Sequence, residues 1–178
     1  RSPEVAKTAL SASLTGHLVL STVHADNALE VFSRFREFGI SEDLLASSLK
    51  LVSSQRLVQL NCESCITEEK AKDFLKKFFA IEEDIVVKSS SGCSVCDYRG
   101  ISGRTGVYEF LPINDDLREL ILGAAYKDSG YLSALKEAAT RAGYQPLSFV
   151  IRELLIQGAI SPKTALRTLG IAPELLEL

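Results

Sequence analysis

Two matched pairs, Cys62-x-x-Cys65 and Cys93-x-x-Cys96, hold all four cysteines of this 178-residue chain. A CxxC pair delivers two thiolates from one tight turn. Two such turns facing each other complete a closed four-sulfur tetrahedron, which is how a structural zinc ion is held. The pairs stand further apart than a minimal zinc ribbon requires, yet the segment between them carries folding signals of its own and can close the gap without a long entropic loop. A closed site leaves no open coordination position, so the zinc expected at Cys62, Cys65, Cys93 and Cys96 is structural and not catalytic. Two disulfides, a redox CxxC, four buried free thiols and an iron–sulfur cluster are the other readings of the pattern. The opening residues do not read as a charged n-region followed by an apolar h-region, which favours a metal over disulfides.

The chain has two histidines, His17 and His24, at the two ends of an apolar run. Placed that way on a strand, they cannot share a metal. His17 reads as a structural residue beside the run. His24 stands at its carboxyl end among Thr22, Asp26 and Asn27, where open α/β sheets place their ligands. Arg34 and Arg56 are candidates for contacts across a subunit interface or to phosphate, although single arginines more commonly serve as surface ion-pair partners.

The elements that must position these residues follow from periodicity and caps. Ser2 as N-cap, Pro3 at the first helical position and Gly16 beyond the end predict a helix, followed by an apolar strand at residues 18–23. Asn27 with Glu30 fits a capping box for a helix through Phe38, and Ser41 caps another to about Val52. Gln55 to Leu60 then leads as a strand into the first cysteine pair. Between the pairs, a Thr67-capped helix with Phe74, Leu75, Phe78 and Phe79 on one face precedes a short strand at residues 85–87. The run Ser89-Ser90-Ser91-Gly92 reads as a flexible approach to Cys93. A strand at residues 105–111 returns the chain to the main body, and four helices follow: 115–122, 131–142, 147–157 and 161–169.

The alternation of helix and buried strand predicts an α/β fold, with residues 1–60 as the distal half of a nucleotide-binding sheet. Residues 61–104 form the zinc-binding insertion, and residues 105–178 the returning strand with an all-helical C-terminal bundle. A chain that is 46% hydrophobic and 24% charged can bury a sizeable core. Its formal net charge of −3 supplies no basic field for a phosphate backbone, so nucleic acid is not the expected partner. No segment approaches the roughly 18 consecutive apolar residues of a membrane span, and a soluble protein is expected.

Several phrases resemble one family in order along the chain. TGHLVLSTVHADNA, residues 15–28, is similar to the histidine box of the ATPases of type II secretion and type IV pilus assembly, the GspE/PilB family. Gln55-Arg56-Leu57-Val58 is similar to the phrase that precedes a tetracysteine zinc module in many members. Gly103-Arg104-Thr105-Gly106-Val107-Tyr108-Glu109 and Leu117-Arg118-Glu119-Leu120-Ile121 match two later phrases. The resemblance covers essentially the whole chain. It implies the distal half of a RecA-like domain in a cytoplasmic homo-hexamer, peripheral at the inner membrane through secretion or pilus platform proteins. ATP and Mg²⁺ would be its cofactors besides zinc. It makes Arg1 the end of a Walker B segment, with the catalytic glutamate upstream of Arg1. His24 then faces the terminal phosphates and, with His17, relays nucleotide state between subunits, since an imidazole can donate a hydrogen bond to a phosphoryl oxygen.

Two departures stand out: Ala25-Asp26-Asn27 follows the histidine where Thr-Asn-Asp or Thr-Asn-Ser is usual, and Ser2 stands where Asp is common. A phosphate-binding GxxxxGK[ST] loop does not occur in these 178 residues, so the chain alone is expected to be inactive. The alternative expectation is a non-enzymatic, zinc-stabilised interaction domain of a degenerate relative.

Overall fold

The computed structural model describes residues 2–82, 84–123 and 130–177, and its first element is helix α1 (Pro3–Leu14). Ser2 Oγ accepts the Val5 N–H at 3.4 Å and Pro3 opens the helix, as these two residue types dictate. Helices α2 (Glu30–Glu37) and α3 (Glu42–Ser48) follow, the second capped by Ser41, which accepts the Leu44 N–H at 3.4 Å. Helix α3 ends at Ser48, short of the expected Val52. Val52 instead enters strand β1 (Leu51–Asn61), where it and Val58 are buried; a β-branched side chain packs readily on a pleated surface.

The strand expected at residues 18–23 is absent. A strand exists through its ladder, and among the described residues the pairings are β1 with β4 (Ile101–Pro112) and β2 (Ile66–Lys70) with β3 (Val86–Ser90). Leu18 and Leu20 are accordingly 89% and 88% exposed. Flanking bonds from Cys62 N–H to Gly100 O and from Ile113 N–H to Lys50 O set β1 and β4 antiparallel. β2 and β3 are also antiparallel, so no parallel sheet occurs among the described residues.

Inside the cysteine-bounded segment, Thr67 does not cap a helix. It pairs with Ser89 across the β2–β3 ladder and donates its hydroxyl to the Ser89 carbonyl at 3.3 Å. Glu68 stands opposite Lys88, and their charges meet at 3.4 Å. Ser89 and Ser90 belong to β3 rather than to a flexible approach. Helix α4 (Asp73–Phe78) is shorter than expected, and Phe74 and Phe78 stack along it with ring centroids 6.0 Å apart.

The tail forms α5 (Asp115–Leu122), α6 (Tyr131–Arg141), α7 (Leu147–Ile156) and α8 (Pro162–Thr168). Asn114 and Ser161 cap α5 and α8 through side-chain oxygens, and Asp115 and Asp116 favour the positive end of α5. These helices are shared out between the two compact units into which the chain divides. In the first, Arg1–Ser54 with Glu109–Gln145, α1, α3, α5 and α6 pack around Leu10, Phe32, Leu45, Leu117 and Leu135. In the second, Gln55–Tyr108 with Pro146–Leu178, α7 and α8 lie against each other and β3 over Leu75, Val87, Ile151, Leu155 and Leu166. Among the described residues, no helix is long and apolar enough to cross a membrane.

Candidate metal centre

Each cysteine pair is built by one short turn of 3₁₀ helix, Glu63–Cys65 and Ser94–Cys96, entered from β-region backbone at Cys62 and Cys93. Bonds from Cys65 N–H to Cys62 O at 3.3 Å and from Cys96 N–H to Cys93 O at 3.1 Å close the turns. The knuckles are then tied to each other's flanks. Ser91 N–H donates to Cys65 O at 3.1 Å, and the Ser90 hydroxyl donates to Cys62 O at 2.9 Å.

Two glycines make this closeness possible. Gly92 and Gly100 have φ of 95° and 70°, and a Cβ on either would stand 2.6 Å from a backbone oxygen, that of Tyr98 or of Ser90. Asp97 and Tyr98 also take left-handed backbone, φ 50° and 59°, as the chain turns sharply out of the second knuckle. Tyr98 N–H and Arg99 N–H close that exit on Cys93 O and Cys96 O.

The outcome is a cluster in which all four Sγ atoms lie within 4.8 Å of one another. A tetrahedral ion with metal–sulfur bonds near 2.3 Å separates its ligands by about 3.8 Å. Cys93 and Cys96 sulfurs stand 3.8 Å apart, and Cys65 and Cys96 sulfurs 3.9 Å. All four are free thiols, with Cys62 and Cys96 buried. The donor set and spacing therefore fit a tetrahedral metal ion.

Cys96 Sγ receives the Cys93 and Gly100 N–H groups at 3.2 Å each. Led by the Cys93 donor and opposed by burial, these hold its thiol down at about 6. Cys65 moves the other way, to about 11, first through burial and then through its sulfur neighbours. One thiolate is thus stabilised by amide donors, while a second in the same space is opposed by burial.

Asn61, which carries the chain into the first knuckle, is a residue that sequence inspection passes over. Its buried side-chain amide donates to Lys88 O at 3.1 Å and Gly158 O at 3.0 Å, and its N–H to Ala159 O at 2.9 Å. It fastens the knuckle to β3 and to the turn between α7 and α8. A polar residue at the end of a strand, directly before CxxC, was the available signal.

The other candidates lie apart from the sulfurs in kind and in role. His17 is exposed at the end of α1, its Nδ1 3.1 Å from Thr15 Oγ1 and 3.3 Å from Ala12 O. His24 is exposed on the irregular segment beyond it. Arg34 pairs with Glu37 at 2.6 Å and lies 4.9 Å from the Phe38 ring centroid, while Arg56 is exposed on β1 and donates to Gln55 O. Arg1, read as the end of Walker B, falls outside the described residues. Asn27 does not sit at the N-cap, which is Leu29; its Oδ1 accepts the Leu29 and Glu30 N–H groups at 3.0 Å each in the turn that leads into α2.

The model of the family described as "Type II/IV secretion system protein" matches residues 1–166. The chain is similar to the "Type II secretion system ATPase E" of Vibrio cholerae, 41% identical over 123 residues, which are 68% of this chain and 24% of that protein. It is also similar to the "Type IV pilus assembly ATPase TfpB" of Acinetobacter baylyi, 31% identical over 175 residues, 96% of this chain and 29% of the relative. The chain spans about a quarter to a third of the length of these curated relatives. The solved structure of the Yersinia pseudotuberculosis ATPase DotB shares its fold, with a TM-score of 0.59 at 17% identity over 97% of this chain and 35% of that one. With the family model covering nearly the whole chain, the protein belongs to the type II/IV secretion system family, that of the GspE/PilB-type ATPases.

Proposed function

We propose that this chain is the C-terminal part of a hexameric motor ATPase that powers type II secretion or type IV pilus assembly. The observation that carries the proposal is the family match over residues 1–166. In this reading residues 1–60 complete the distal half of a RecA-like core. The segment 18–23 becomes a strand there, paired with a neighbour that these residues do not supply, which accounts for the exposure of Leu18 and Leu20. ATP, Mg²⁺, the phosphate loop and the catalytic carboxylate belong to the remainder of the protein, as does assembly on an inner-membrane platform from the cytoplasmic side.

Within that motor, residues 61–104 are a module whose Cys62, Cys65, Cys93 and Cys96 hold one structural zinc ion. Thiolates at this spacing suit zinc, and the ion's role is to hold the segment folded. His24 senses the terminal phosphates, His17 serves stability or subunit coupling, and Arg34 and Arg56 are the candidates for contacts between subunits.

Phosphate release tests the proposal. The chain alone is expected to show no turnover above background, and the intact protein to hydrolyse ATP. His24→Ala should lower the turnover number about tenfold or more with the fold kept, and His17→Ala should act chiefly on thermal stability. Turnover by the isolated chain would refute the division of labour, and equal losses in the two histidine variants would refute their roles.

A further inference from the structure

The turn that follows His24 is shaped by side chains. Asp26 N–H donates to Glu30 Oε2 at 3.2 Å, Asn27 Nδ2 to Glu30 Oε1 at 3.0 Å, and the Leu29 and Glu30 N–H groups to Asn27 Oδ1. Ala28 N–H goes elsewhere. It donates at 2.6 Å to Oε1 of Glu109, 81 residues away in sequence. The second carboxylate oxygen, Oε2, accepts the Tyr144 hydroxyl at 3.0 Å. All three residues are buried, Ala28 to 1% exposure, Glu109 to 2% and Tyr144 to 5%.

Packing alone does not explain this carboxylate. Glu109 alternates along β4 with buried Val107 and Leu111, on a face where an apolar side chain avoids the desolvation of a carboxylate altogether. What an apolar residue does not do is bind an amide. At the start of α2 the carboxylate meets the positive end of a helix and a backbone donor in a charge-assisted bond, with a tyrosine holding it in place.

We propose that Glu109 is a positioning residue for the histidine segment: clasped by Tyr144, it fixes the Ala28 amide and thereby the course of the backbone between His24 and α2. The clasp stands on geometry, while its effect on catalysis rests on the reading of His24 as the nucleotide sensor. Glu109→Ala removes the acceptor. Glu109→Gln keeps the shape and an oxygen for Ala28 N–H, and Tyr144→Phe removes the hydroxyl donor to Oε2.

Two readouts in the intact protein separate the possibilities. In Glu109→Ala, amide hydrogen exchange of peptides spanning residues 24–30 should quicken about tenfold or more with α5 unchanged, and Glu109→Gln should recover most of that protection. The ATP turnover number of Glu109→Ala should fall about tenfold with KM for ATP within about twofold, and the loss should vanish when His24 is already Ala, since the two act through one route. Unchanged exchange at residues 24–30 would overturn the clasp. A full loss of turnover persisting in the His24→Ala background would overturn its action through the histidine. If His24→Ala alone leaves turnover intact, the sensor reading fails and the exchange result alone decides the clasp. Should Glu109→Ala fail to fold, Tyr144→Phe decides: faster exchange at residues 24–30 supports the clasp and unchanged exchange overturns it.

Discussion

Around Cys62, Cys65, Cys93 and Cys96 the turns are closed by atoms a few residues away or on the adjoining strand. Along residues 17–25, by contrast, Leu18 and Leu20 face solvent, and no strand lies beside them among the described residues. The knuckles carry their geometry locally: a 3₁₀ turn brings each pair of sulfurs together, two glycines admit the close backbone approach, and β2–β3 holds one pair against the other. The histidine segment has apolar residues of the right kind but no ladder to enter. A site whose ligands come in short-range pairs can form within a limited stretch of chain, whereas a site at the end of a sheet strand depends on whatever lies on both sides of that strand.

The sharpest way to break the first half of this comparison is to remove one ligand. Cys96→Ser is expected to lower bound zinc from about one ion per chain to near zero, because three thiolates no longer close the site. Elemental analysis reads the loss. Amide exchange should show β2 and β3 opening while α5 and α6 keep their protection, since those helices have their core in the other unit. Retention of zinc, or iron with visible absorption in the unaltered protein, would defeat the assignment.

The same contrast explains which parts of the fold were legible in the residues. Ser2-Pro3 and Ser41 each satisfy helix amides within three positions, so the helix starts they announce are where the chain begins those helices. The cysteine cluster was legible for the same reason. Thr67 misled because a Thr suits a strand as well as a cap, and only Ser89, distant in sequence, decides between them. Helix periodicity in the tail reports a buried face but not which core buries it; Leu117 and Leu135 serve one unit, Ile151 and Leu166 the other. The family phrase at residues 103–109 assigns Glu109 no role, although a charge in register with Val107 and Leu111 on a two-residue period was the signal for a buried, hydrogen-bonded carboxylate.

Matched core deletions sharpen the comparison further. Leu75 is 1% exposed in α4 and Leu117 is wholly buried in α5. Each change to Ala should destabilise its own unit by about 2–5 kcal/mol. Urea unfolding followed by peptide-resolved exchange checks it; if either variant loosens both units alike, they do not behave as separate cores.

A smaller effect separates the units by pH. In the first unit, burial and then the Glu109 carboxylate push the Tyr144 hydroxyl well above its ordinary value. Above pH about 10 the unfolded chain loses tyrosine protons while folded Tyr144 keeps its own, so the folded state binds more protons and stability falls as pH rises. Tyr144→Phe should flatten that decline by about 1.4 kcal/mol per pH unit, the slope for one proton. An unchanged alkaline slope would mean that Tyr144 ionises as readily folded as unfolded.

The smallest expected effect tests the other half of the comparison. Leu18 is 89% exposed, so Leu18→Ser in this chain should change stability by no more than about 0.5 kcal/mol, the scatter of ordinary surface substitutions. In the intact protein of the proposal, residues 18–23 lie between neighbouring strands, and the same change places a hydroxyl in a covered sheet; there it should destabilise the core by about 2 kcal/mol or more. Denaturant unfolding of the two proteins side by side gives the difference. A loss above about 1 kcal/mol in the chain alone would show that Leu18 is already buried by these residues. Equal, negligible losses in both would show that the segment never enters a sheet, and His24 would then lose the strand end that brings it to nucleotide.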